Sequence, residues 1–154
     1  MRCVARYWFQ SVRLSVYSDY CLRVLMHAAL RAPESATIDE VAEAFAISPN
    51  HLSKIVHDLA LKGLLATRRG TGGGFTLAVS PLEISVGKIL RATEGDQTVI
   101  DCVNRHLEPC VIFPACRLKS ALAEATRSFF AVLDEYSLED LVKRKSEMKE
   151  LLGI

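Results

Sequence analysis

The sequence predicts a mainly α-helical chain with one small β-hairpin: three short helices, the hairpin, then a long helix. Three observations carry this. Two short, capped helical patterns lie only a few residues apart, around Ala46 and Ile47. A glycine cluster, Gly70-Thr71-Gly72-Gly73-Gly74, separates two short strand patterns. Beyond Cys116, apolar residues recur in steps of three and four, as in a helix that pairs with another helix.

The elements follow in order. A first helix is predicted from about Ser18 to Arg31, with Leu22, Leu25, Met26 and Ala29 as its buried stripe and Pro33 closing it. A second opens on the capping box Thr37-Ile38-Asp39-Glu40 and buries Ile38, Val41, Ala42 and Phe45. A third starts at Ser48 as N-cap with Pro49 at the first helical position, and buries Leu52, Ile55, Val56 and Leu59. Gly63 stands where a left-handed helix end belongs. Two capped helices joined so tightly are the sequence form of a helix-turn-helix. Leu64 to Arg68 reads as a strand, and Phe75, Leu77 and Val79 alternate with polar or small residues as a second. Three helices followed by a glycine-tipped hairpin make a winged helix. After Pro81 a short helix is expected from Ser85 to Glu94, ended by Gly95. A proline-containing loop then runs to Cys116, a long helix from Arg117 to about Tyr136, and an amphipathic tail from Ser137 to Ile154.

Four regions result. Residues 1–12, without helical or strand period, are read as a disordered or mis-assigned extension, with Val12 a candidate alternative start. Residues 13–82 form the winged-helix domain, 83–116 a short helix and loop, and 117–154 a dimerisation helix and tail. With 154 residues, half of them apolar and 24% charged, the chain has the composition of one globular domain with an accessory element. Its uncharged stretches fall short of the ~18 residues that span a bilayer, and no secretion signal is evident, so no membrane role and a cytoplasmic location are expected.

The net charge of +1 conceals a pattern. Residues 48–74 carry Lys54, Lys62, Arg68 and Arg69 against the single acid Asp58, whereas 34–47 carry four acids and no base. Positive charge therefore sits at the start of the chain, where residues 1–33 carry five bases against one acid, and in the block of the third helix and the hairpin. The outward face of that helix, Ser48, Asn50, His51, Lys54 and His57, consists of donors and acceptors of the kind that read base edges in a major groove. An isolated helix of this type is more often a merely solvated face. Its place in a helix-turn-helix beside a basic hairpin favours contact with double-stranded DNA. Arg68, Arg69, Gly70 and Gly72 at the hairpin tip suit a narrow minor groove and close approach to phosphate. A nucleotide-binding loop fails here, because no Gly-Lys-Ser/Thr occurs and a strand follows the glycines.

Three of the five cysteines, Cys102, Cys110 and Cys116, lie within fifteen residues. The odd count argues against a disulfide framework. Their spacing is wide for mononuclear zinc, which prefers close pairs, and suits an iron–sulfur cluster with thiolate ligands. A fourth ligand is left open between Asp101, His106, Glu108, Cys21 and Asp19. The plain alternative is three reduced, partly buried cysteines. Cys21 alone reads as core, and Asp19 as an acid favourably placed at a helix start. No nucleophile–base pattern is evident, so the chain is not expected to be an enzyme.

At these residues the chain resembles the family of iron–sulfur winged-helix regulators that includes the IscR and NsrR branches. The resemblance covers Arg13 to about Val142. It rests on Arg13-Leu14-Ser15-x-x-Ser18-Asp19-Tyr20-x-Leu22-Arg23, Ser48-x-Asn50-His51-Leu52-x-Lys54-Ile55, Arg69-Gly70-x-Gly72-Gly73-Gly74-Phe75-x-Leu77, and the three-cysteine loop. The run Pro114-Ala115-Cys116-Arg117-Leu118-Lys119-x-Ala121-Leu122 is most similar to the NsrR branch. The IscR branch usually has closer first and second cysteines and a histidine where Lys119 stands here. The resemblance implies a homodimeric repressor on a pseudo-palindromic operator. It further implies that Cys102, Cys110 and Cys116 hold a cluster, 4Fe–4S in preference to 2Fe–2S, with Asp19 as a fourth ligand given by the partner subunit. It also implies nitric oxide as the signal. An IscR-type regulator, a thiol- or zinc-based DNA-binding regulator without a cluster, and a cluster-carrying protein with no DNA role stand as the alternatives.

Overall fold

A computed structural model describes residues 14–68, 70, 73–95 and 110–154. The expectations for residues 1–12, Arg69, Gly72 and Cys102 therefore lie outside the described residues.

The first helix, α1, spans Val16–Arg31. It begins before the expected Ser18, because Ser15 is the N-cap and its hydroxyl accepts from the Ser18 amide at 3.1 Å. Its buried face also differs from the expected stripe. Cys21, Val24, Leu25, Ala28, Ala29 and Leu30 are buried, whereas Leu22 and Met26 are only half-buried. The reason is that α1 is the hub of the fold, with neighbours on nearly every side.

Helix α2 (Ile38–Phe45) opens on the expected capping box: Thr37 and Glu40 satisfy one another's backbone amides at 3.2 and 2.7 Å. Ala46 then turns the chain with φ 53° and ψ 44°, a left-handed conformation. Ile47 drops into the core and α3 (Pro49–Leu61) begins. A Cβ in this region costs ~1–2 kcal/mol, and glycine elsewhere gives back ~0.5–1 kcal/mol in chain entropy. Ala46→Gly is thus expected to stabilise the protein by about 0.5 kcal/mol, seen as a small rise in melting temperature; a fall contradicts it.

Helix α3 buries Leu52, Ile55, Val56 and Leu59, as its sequence predicts. Strands β1 (Leu65–Arg68) and β2 (Gly74–Leu77) pair antiparallel, with Leu65 opposite Leu77 and Arg68 opposite Gly74. The wing is anchored at its base. Phe75 and Ala36 exchange backbone hydrogen bonds of 2.8 and 2.9 Å, and a Cβ on Gly74 would stand 2.4 Å from the Ala36 carbonyl oxygen. At the tip, Gly73 N–H closes a turn on the Gly70 carbonyl at 2.8 Å. Within β2 only Phe75 is fully buried; Val79, expected as a third inward residue, is exposed.

A single 3₁₀ turn at Pro81–Glu83 leads into α4 (Val86–Glu94), which Ser85 caps and Gly95 ends. After the loop, a second 3₁₀ turn at Phe113–Ala115 precedes α5 (Arg117–Asp134). Gly87 lets α5 lie tight on α4, since a Cβ there would meet the backbone nitrogen of Asp134 at 2.8 Å. Arg91 clamps the joint by a two-pronged bond to Asp134, at 2.5 and 2.6 Å, while lying over the Phe130 ring. That guanidinium holds the Asp134 carboxyl below its usual range.

The tail is not one segment but two helices, α6 (Leu138–Leu141) and α7 (Lys145–Leu152). It folds back on α1, with Leu138 and Val142 fully buried in the core. Leu138 N–H bonds the Ile84 carbonyl at 2.8 Å and Val86 N–H bonds that of Tyr136 at 2.9 Å, which pins the tail to the start of α4.

His27 is a buried ionisable side chain of this core. It lies edge-on to Phe45, and neither ring nitrogen has a hydrogen-bond partner among the described residues. Burial pulls its pKa down; Glu40 pulls the other way and Arg31 reinforces the burial. A histidine kept neutral when folded binds its proton more readily unfolded, so stability is full above the ordinary pKa of ~6.5 and falls as pH drops below it. Stability is expected to decline between about pH 7 and 5.5, by at most ~1.4 kcal/mol per pH unit, the limit for one proton. Denaturant titrations across that window check this, and His27→Leu is expected to flatten the slope.

Candidate nucleic-acid interface and metal-binding loop

Burying the Leu52, Ile55, Val56 and Leu59 stripe forces the opposite face of α3 outward. Ser48, Asn50, His51, Lys54 and His57 are all exposed. Asn50, Lys54 and His57 follow at i, i+4, i+7 along one edge, with His51 beside them. Ser48 occupies the N-cap position, but its hydroxyl caps nothing, so both hydroxyl and helix start are open to an incoming acceptor. Neither Lys54 nor Arg68 forms an ion pair with any described residue. Arg68 and Gly70 are exposed at the end of the hairpin, Gly70 with φ 96°. Arg69 and Gly72 lie outside the described residues. The result is a polar helix face with a lysine unpaired among the described residues, beside a hairpin that ends in arginine.

The loop is visible at its two ends. Its entry is fastened to α1. Ser15 N–H donates to Glu94 Oε1 at 2.8 Å, and the Ser18 and Thr93 hydroxyls lie 2.6 Å apart. Burial works against the Glu94 carboxylate, yet the neighbouring Ser18 hydroxyl and the Ser15 amide and hydroxyl outweigh this and hold its pKa below the usual range.

At the exit two tight turns run back to back: Phe113 N–H to the Cys110 carbonyl at 2.8 Å, and Cys116 N–H to the Phe113 carbonyl at 3.4 Å. They fold the spacing between Cys110 and Cys116 into a compact unit. Both thiols are free, Cys110 exposed and Cys116 half-buried. Lys119 braces this unit, with Nζ 3.9 Å over the Phe113 ring and 3.3 Å from the Phe113 carbonyl oxygen. Among the described residues no group of three metal-ligating side chains occurs. Cys102, Asp101, His106 and Glu108 lie outside them. The donor chemistry of Cys110 and Cys116 nevertheless fits a soft iron–sulfur group: an exposed and a half-buried thiol at the ends of two successive turns, with no disulfide between them.

Asp19 lies in the first turn of α1, with its side chain 45% exposed, and accepts from Arg23 Nε at 2.9 Å. Such a pair within one helix is worth only ~0.3–0.5 kcal/mol, so the carboxylate can exchange partners at little cost. Cys21, the remote thiol candidate, is fully buried and burial pushes its pKa up to about 11, which suits a core thiol and not a ligand thiolate. Three further residues of this region carry no local sequence signal. Tyr17, whose hydroxyl bonds Asp58 on α3 at 2.9 Å, and Thr93 and Glu94 at the loop entry all act through partners far away in sequence.

A three-helix head with an exposed polar third helix and a basic wing defines the class: a winged helix-turn-helix transcriptional regulator. The chain belongs to the Rrf2 family, described as iron-dependent transcriptional regulators, whose profile matches residues 14–144. It is similar to the HTH-type transcriptional regulator NsrR of Bacillus subtilis, at 42% identity over 92% of this chain and 97% of that protein. The NsrR of Oceanobacillus iheyensis is also 42% identical, over 93% of this chain and 98% of its own. Among solved structures it resembles T. potens IscR (TM-score 0.68, 25% identity, 87% of this chain and 88% of that one). It also resembles Staphylococcus aureus CymR (TM-score 0.66, 29% identity, 82% and 95%). These relatives are regulators and not enzymes, in keeping with a sequence that offers no nucleophile–base pair. No helix among the described residues is long and apolar enough to cross a membrane.

Proposed function

We propose that this chain is a homodimeric DNA-binding repressor whose hold on a pseudo-palindromic operator is governed by an iron–sulfur cluster that reacts with nitric oxide. The observation that carries the reading is the fastening of the cysteine loop to the DNA-binding head at its entry, by Ser15–Glu94 and Ser18–Thr93. Cys102, Cys110 and Cys116 supply the thiolates. Asp19, weakly held by Arg23, is the exchangeable fourth ligand from the partner subunit. A bound cluster, 4Fe–4S in preference to 2Fe–2S, supplies an iron open to nitric oxide.

Helix α5 sets the geometry. None of its residues is buried, and Leu118 and Val132 are 61% and 55% exposed, a face without a partner among the described residues that a second copy covers. Two α3 helices then meet successive major grooves only if the dimer holds them ~34–36 Å apart. Ser48, Asn50, His51 and Lys54 contact the major groove, while Arg68, Arg69, Gly70 and Gly72 contact backbone and minor groove. A change at the loop moves the start of α1, and with it the head that carries α3.

Protein purified without air and reconstituted with iron and sulfide is expected to be brown. It should retard a palindromic DNA fragment selected from a random pool, and release it on addition of nitric oxide. Colourless protein that binds DNA regardless of nitric oxide overturns this reading in favour of a thiol- or zinc-based regulator.

A further inference from the structure

The first two turns of α1 carry a set of polar contacts that DNA contact and cluster ligation leave unused. On one flank the donors run in series. Ser15 Oγ donates to Ser18 Oγ at 3.0 Å, Ser18 lies 2.6 Å from Thr93 Oγ1, and Thr93 donates to the Ile89 carbonyl at 3.0 Å. Ser18 is fully buried, so water does not reach the hydroxyl at the centre of this series. This flank joins α1 to the last turn of α4, immediately before the loop. On the other flank the Tyr17 hydroxyl donates to Asp58 Oδ2 at 2.9 Å, a contact to α3 across 41 positions. Asp58 lies one helical turn beyond Lys54, at the i, i+4 spacing of a helical ion pair. It bonds Tyr17 instead, and Lys54 is left without an ion pair among the described residues.

We propose that the Tyr17–Asp58 hydrogen bond is the link by which α3 senses the state of the loop, with Tyr17 and Asp58 as positioning residues and not DNA contacts. With the bond made, α3 is held against α1 and the Lys54 ammonium is free for phosphate. When the start of α1 shifts, Tyr17 leaves Asp58, and the freed carboxylate turns toward Lys54 and neutralises the cation that DNA needs. The inference rests on the function proposed above.

The test compares wild type, Tyr17→Phe and Asp58→Asn. Each is measured for affinity to the DNA fragment that wild type selects from a random pool, cluster-loaded and after nitric oxide. Cluster absorbance and melting temperature are followed in parallel. Tyr17→Phe removes one oxygen and is expected to keep the cluster and its titration by nitric oxide. Its loaded form should bind about as weakly as nitric-oxide-treated wild type, so that the ratio of the two affinities falls about fivefold or more. Asp58→Asn keeps an acceptor for Tyr17 but carries no charge to neutralise Lys54. Its loaded form is expected to bind like loaded wild type and its nitric-oxide-treated form more tightly than treated wild type, which also lowers the ratio. An unchanged ratio in Tyr17→Phe overturns the link, as does an equal loss of affinity in both states, which marks a merely structural contact. A wild-type ratio of one overturns the proposed function itself, and the link with it.

Discussion

Cys116→Ala protein is expected to lack iron after anaerobic reconstitution and to bind the operator at least about a hundredfold more weakly than wild type, approaching its affinity for non-specific DNA. Cys116 is half-buried at the exit of a tight turn and is not part of the core, so truncation should leave the fold intact. Cys21→Ala gives the opposite result. Cys21 is enclosed by the core and closed to solvent, so its loss should cost stability, on the order of 1 kcal/mol for a small buried group, and leave the iron content unchanged. Iron analysis, melting curves and operator titrations on the two variants separate ligand from core cysteine. A Cys116→Ala protein with a full complement of iron contradicts the assignment.

The second large effect concerns the recognition face. Asn50→Ala and Lys54→Ala combined should weaken operator binding by about two to three orders of magnitude, at ~1–3 kcal/mol for each side chain truncated, with the cluster spectrum unchanged. The singles should differ in kind. Lys54→Ala removes a cation that makes no ion pair among the described residues. It should weaken binding to all sequences and lower the salt slope by ~1. Asn50→Ala should relax discrimination at one base position. Titrations at several salt concentrations with matched and mismatched fragments read both. Full operator affinity in the double variant would place the interface elsewhere.

Helix α3 is legible in the sequence because its signals are local. Ser48 and Pro49 mark the start, a four-residue apolar stripe fixes the buried face, and Gly63 marks the end, where φ is 72°. The wing is legible for the same reason, since its register follows from a glycine-rich tip between two short strands. The inner face of α1 is not. A helix covered by α2, α3, β2, α4, α6 and α7 has no single stripe, and apolar periodicity points to Leu22 and Met26 where the structure buries Cys21, Val24 and Ala28. The break between α6 and α7 is hidden because Val142, which continues the apolar pattern, is buried in the turn between them. The bonds that join loop to head are hidden for a different reason. Ser18 with Thr93 and Tyr17 with Asp58 are 75 and 41 positions apart, and only the packed fold brings them together.

On the proposed function, Cys102, Cys110, Cys116 and Asp19 converge on one iron–sulfur cluster across a dimer of this chain. A crystal grown without air from reconstituted protein, with anomalous scattering recorded at the iron edge, tests this most directly. The expected result is one compact iron peak per chain within bonding distance of the three sulfur atoms, with an Asp19 carboxylate completing the site from the second copy. Iron bound elsewhere, or the three side chains splayed apart with no scatterer between them, would contradict it.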